Sequence, residues 1–69
     1  MGMSEKIRIL LVKKGSNPAD LAKRLNTVPQ NIYGKLNRDN FSEKELQEIA
    51  KVLDVRYEGF FFLDNGDKV

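Results

Sequence analysis

The sequence predicts a mostly α-helical fold, four short helices followed by a C-terminal β-hairpin, and three observations predict it. Apolar residues recur at helical spacing in four separate windows between residues 4 and 53. Each window is bracketed by residues that start or stop helices. Beyond residue 55 the pattern changes to an aromatic-rich run closed by Asp64-Asn65-Gly66, a hairpin turn signal. A chain of 69 residues suits one domain, 1–69, with one core. At that size folding buries only about 60% of the unfolded surface, so contacts with a partner would add to stability.

The first helix is expected over about 4–14. Ser4 can cap it, Ile7, Leu10, Leu11 and Lys14 follow at i, i+3, i+4 and i+7, and Gly15 ends it. Ile9 and Val12 lie outside that stripe and either widen the core, support the tail or meet a second subunit. Lys13 and Lys14 suit the negative end of the helix dipole. The second helix, about 18–25, starts with Asn17 as cap and Pro18 at the first position, where a missing N–H costs nothing. Asp20 stands three residues on, near the positive end of the dipole. Leu21, Ala22 and Leu25 form its apolar stripe, and Asn26 is placed to end it in a left-handed conformation. Pro29 opens the third helix, about 29–36, with Ile32 and Leu36 as its buried pair. Residues 38–41 read as a loop in which Phe41 can act as a hydrophobic staple. Ser42 and Glu45 form a capping box for the fourth helix, about 43–53, which turns Leu46, Ile49, Ala50 and Leu53 to one side.

The tail reads as a hairpin over about 56–69, with a strand to Leu63, a turn at Asp64-Asn65-Gly66 and a short return strand Asp67-Lys68-Val69. Alternation points Phe60 and Phe62 one way and Tyr57, Phe61 and Leu63 the other, so both faces are apolar. One face can cover the helices; the other would be an aggregation hazard unless paired. Pairing through Tyr57, Phe61 and Leu63 with the same element of a second copy is therefore expected, giving a two-fold homodimer. The competing arrangement folds the hairpin wholly onto its own domain. Asp64, Asn65 and Asp67 are explained by turn chemistry, since they lack the twelve-residue calcium-loop pattern.

Anchoring the third helix by Ile32 and Leu36 fixes what it shows to solvent. At about 100° per residue, Gln30, Gly34 and Asn37 fall on the opposite side, with Asn31 and Arg38 on one edge and Tyr33 on the other. No carboxylate occurs between Lys23 and Asp39. The charge is also polarised, because residues 1–38 carry eight Lys/Arg against two acidic residues while residues 39–69 carry four against eight. A positive end bearing amides can approach a polyanion and hydrogen-bond to base edges, while the negative end orients the molecule.

Several functions find no support in the composition. Neither cysteine nor histidine occurs, which removes disulfides, the usual zinc sites and any imidazole or thiolate chemistry. The three serines all sit near helix starts and no carboxylates cluster in an apolar setting, so no catalytic constellation or cofactor is expected. The longest aliphatic run, Ile9 to Val12, is far short of a membrane span, and a soluble cytoplasmic protein is expected.

Over roughly residues 6–55 the chain resembles the helix-turn-helix of phage repressor and Cro type (lambda-repressor-like, XRE-type). The matching residues are the Ile7/Leu10/Leu11 stripe ending in Gly15, Leu21-Ala22-Lys23-Arg24-Leu25-Asn26, Ile32, Leu36-Asn37, and Leu46, Ile49-Ala50 and Leu53. The chain departs from that pattern at Pro18 and Pro29, where glutamine is frequent, and at Gly34, where a reading side chain is frequent. The resemblance implies a double-stranded DNA partner and a sequence-dependent transcriptional regulator of repressor type, with the start of the third helix in the major groove. Gln30, Asn31, Tyr33 and Gly34 are then expected at the bases, and Ser16, Asn17, Lys23, Thr27, Lys35, Asn37 and Arg38 at phosphates. The alternative is an antitoxin-like or adaptor module that keeps the helical fold and works through its aromatic tail; Pro18, Pro29 and Gly34 favour it, because each removes a polar side chain from a useful place.

Overall fold

Local signals decide most of the architecture in the computed structural model, which describes residues 2–68. The helices are α1 (Met3–Lys13), α2 (Pro18–Arg24), α3 (Pro29–Arg38) and α4 (Glu43–Val52), followed by β1 (Arg56–Tyr57) and β2 (Phe61–Phe62). Asn17 caps α2 by accepting the Asp20 N–H at 2.8 Å. Ser42 and Glu45 form the reciprocal capping box on α4, with distances of 3.2 and 2.8 Å. All four helices end the same way: Gly15, Asn26, Asp39 and Asp54 turn left-handed, and the next residue's N–H returns to a carbonyl five residues back. This closes them sharply enough for seven- to eleven-residue helices to fold back on one another.

Two helix ends differ from the sequence expectation. Ser4 lies inside α1 and makes no cap; Gly2 is the N-cap residue and has no side chain to offer. The N–H of Ser4, which has no partner within the helix, is satisfied from a distance by Asp39 Oδ1 at 2.8 Å. A β-carbon at position 2 would collide with that carboxylate, so glycine permits the approach. Helix α3 also continues to Arg38, through the first residue of the expected loop, and ends at Asp39 in the left-handed region, φ 54°. The same residue therefore terminates α3 and caps α1.

The core is formed by Ile7, Leu10 and Leu11 of α1, Leu21 and Ala22 of α2, Ile32 and Leu36 of α3, and Leu46, Ile49, Ala50 and Leu53 at α4, closed by Phe61. Phe41 packs against its edge, as a staple should. Ile9 and Val12 do not widen this core: Val12 is 77% exposed and Ile9 is 39% exposed.

The tail is the main correction. The expected strand over 56–63 folds back on itself at Glu58-Gly59-Phe60, where Gly59 takes φ +77°, so that Arg56 pairs with Phe62 and Tyr57 with Phe61 in antiparallel register. The turn at Asp64-Asn65-Gly66 also forms, with Leu63 N–H donating to Asp67 O at 2.9 Å and a single bridge between Phe62 and Lys68. Val69, the end of the expected return strand, lies outside the described residues. Alternation holds, and the Tyr57/Phe61/Leu63 face expected at a second copy is turned to the chain's own helices. Phe61 is wholly enclosed in the chain's own core, and Tyr57 and Leu63 pack half-buried around it. The reason is volume, since four short helices leave one side open and a phenylalanine is the largest plug on offer. Tyr57 packs tilted against Phe61 with ring centroids 5.0 Å apart, and burial, with Glu43 nearby, pushes its phenol pKa up. The outward rings carry cations: the Lys6 and Lys68 ammonium groups lie 4.6 and 4.8 Å from the Phe60 ring, and the Arg56 guanidinium 4.5 Å from Phe62. Among the described residues no helix is long and apolar enough to cross a membrane.

Candidate nucleic-acid interface

Helix α3 is set against the bundle by Ile32 and Leu36, and what it cannot bury becomes the candidate site. Gln30, Asn31, Asn37 and Arg38 are exposed and Tyr33 is 45% exposed. Gly34 is half-buried although it stands opposite the anchors, because the Arg38 side chain lies over it.

Hydrogen bonds sort the expected contact residues into two groups. Asn31 Nδ2 donates to Thr27 Oγ1 at 2.8 Å, which orients the amide and leaves its carbonyl oxygen and second N–H toward solvent. Thr27 accepts that bond and keeps its own hydroxyl proton to donate. Asn17 uses its oxygen on the α2 cap, leaving its NH2 without a protein partner among the described residues. Lys23 and Arg38 are exposed and have no ion pair among the described residues.

Two expected phosphate contacts are engaged elsewhere. Ser16 donates its hydroxyl proton to Asp20 Oδ2 at 2.6 Å, so it braces the start of α2. Lys35 pairs with Glu45 at 2.6 Å, tying α3 to α4. The cause is position: Lys35 lies on the edge of α3 nearest the buried pair, within reach of the first turn of α4.

Three neighbouring carboxylates are engaged as well, while Glu48, which lines the same cleft as Thr27 and Asn31, has no ion pair among the described residues. Asp20 accepts from Ser16 and from Arg24 Nε at 2.9 Å, and these bonds hold its carboxyl below the usual range. Asp39 is held low by the Ser4 N–H. Glu45 is held low by the Lys35 ammonium and then by the Ser42 N–H. Arg24 further reaches the Val52 carbonyl at 3.4 Å, bracing α2 on the end of α4. Spacing could have suggested the Asp20–Arg24 pair, which is i, i+4 on one helix. Nothing local could have linked Asp39 to Ser4, 35 residues away.

Two short helices, α2 and α3, meeting at a tight corner inside a four-helix bundle, with a polar, cation-bearing outer helix, define a helix-turn-helix. The chain is 37% identical over 49 residues to Repressor protein CI of Enterobacteria phage phi80, a match that covers 71% of this chain and 21% of that protein. The chain thus spans about a fifth of the length of the relative it matches. No family model and no solved structure matches. Helix order and this match together place the chain with the phage repressor-like helix-turn-helix proteins.

Proposed function

We propose that the chain is a sequence-dependent double-stranded-DNA-binding transcriptional regulator of repressor type, acting in the cytoplasm by occupying an operator and carrying out no chemistry. One observation supports this above the others: α3 offers Gln30, Asn31, Tyr33, Asn37 and Arg38 to solvent, while Asp20, Asp39 and Glu45 are each held by partners inside the domain. An outer helix free of available negative charge is what entry into a groove between phosphates requires. The start of α3 enters the major groove. Gln30 there makes a bidentate pair with adenine, and Asn31, turned by Thr27, reaches the neighbouring base. Tyr33 meets a thymine methyl or the backbone beside it. Lys23, Asn17, Asn37 and the Thr27 hydroxyl contact phosphates and set the register.

The adaptor reading loses its principal residue, because Phe61 is enclosed and the outer rings of the hairpin are faced by cations. Selection from random duplex DNA, followed by titration over a range of salt, tests the proposal. A recovered consensus and an affinity that falls with salt by about one power per phosphate contact are expected. Binding that ignores both sequence and salt overturns the reading.

A further inference from the structure

We propose that Arg38 is the central base-reading residue of the α3 face, recognising guanine in the major groove, and that Gly34 is its seat; this rests on the duplex-DNA reading above. Stepping at about 100° per residue, position 34 is the point of α3 most nearly opposite Ile32 and Leu36, so it faces the floor of any groove the helix enters. That point carries no side chain of its own. A β-carbon there would stand 3.1 and 3.2 Å from the two terminal guanidinium nitrogens of Arg38, which shows how closely the group lies on the bare backbone. Helix geometry produces this arrangement, because side chains lean toward the N-terminus and a residue at i+4 covers residue i.

The backbone gives no other reason for glycine, since Gly34 is absent from the positive-φ residues and sits inside a ten-residue helix that glycine weakens. The guanidinium is also unclaimed. Arg38 has no ion pair among the described residues, and Asp39 beside it is turned to the Ser4 N–H. A planar fork of donors at the centre of a groove-facing surface matches the O6 and N7 acceptors of guanine, a pair that no other base presents in the major groove. Arg38 therefore supplies from position 38 the reading group that position 34 lacks, with Gln30 reading beside it.

Selection from random duplex DNA by the wild type, Arg38→Gln and Gly34→Ala tests this. The substituted side chain at 38 is exposed and alanine favours a helix, so both variants fold, which circular dichroism verifies. The wild-type consensus is expected to contain one invariant guanine per site. Arg38→Gln should lower the preference for that guanine roughly 5- to 150-fold while the other columns stand. Gly34→Ala keeps the charge but displaces the guanidinium, and should weaken the same column alone. A wild-type consensus without guanine overturns the inference. So does an Arg38→Gln variant that weakens all sequences equally, with its salt slope reduced by about one and its consensus intact, because that is a phosphate contact. An unchanged guanine column in Gly34→Ala overturns the role of the seat. A wild type that binds no duplex at all overturns the DNA reading itself, and this outcome is distinct from the others.

Discussion

At the α2–α3 corner the polar residues face solvent and the internal bonds hold carboxylates away from them; in the hairpin the aromatic residues turn inward and cations cover those that cannot. On the sequence alone, both regions suit a partner. Only the corner leaves its chemistry free. The side chain of a corner residue such as Gln30 makes no hydrogen bond among the described residues, so its worth is in binding, whereas Phe61 is entirely enclosed and its worth is in folding.

Substitution should separate the two regions most strongly at Phe61. Phe61→Ala removes the plug of a small core and is expected to cost about 3–5 kcal/mol, a large share of the stability of a small domain. Urea or thermal denaturation measures it. Gln30→Ala, in contrast, should change stability by less than about 0.5 kcal/mol, as surface substitutions do. If Phe61→Ala were as mild as Gln30→Ala, the hairpin would not be the closure of this core.

The second comparison is in binding. Gln30→Ala should lose about 1–3 kcal/mol of discrimination at one base position and leave the melting temperature unchanged. Selected-sequence affinities against single-base variants read that loss directly. An intact preference would move base reading away from the start of α3. Asn17 lies between the two regimes, since its oxygen caps α2 while its NH2 faces outward. Asn17→Ala is expected to cost about 1 kcal/mol of stability, seen by denaturation, and Asn17→Asp should recover it. Because Asp keeps the capping oxygen but offers no NH2 donor, DNA affinity should fall in that variant although the fold is restored.

The same contrast explains what the sequence revealed. Caps, helix ends and the α3 face follow from neighbours within four residues, so Asn17, Asn26, the Ser42/Glu45 box and the outward Gln30 were legible. Asp39 capping α1, Lys35 crossing to Glu45 and Phe61 closing the core depend on elements brought together only by folding. The tail misled for a related reason. Its alternation holds, yet a strand with two apolar faces does not show which face the core takes, and Gly59, which falls inside the expected strand, is its turn.

Acid offers the smallest and most selective test. Asp20, Asp39 and Glu45 are held below their ordinary pKa values by the bonds that engage them around the corner. A carboxyl with a lowered folded pKa releases its proton more readily in the folded than in the unfolded chain. Its contribution to stability is therefore fully present above the unfolded pKa, near pH 4, and is lost as the pH falls through the lower folded value. The melting temperature should be level from pH 7 to about 5 and fall below about pH 4. Glu45→Gln should shrink that fall, because it removes the group that Lys35 and the Ser42 N–H hold ionised. Since these groups remain in contact with solvent, the drop is expected to be modest and to diminish in high salt. A melting temperature that stayed level to pH 2, or a Glu45→Gln variant with the full acid-side fall, would mean that these bonds do not hold the corner, and that the polar face of α3 rests on the placement of its own residues alone.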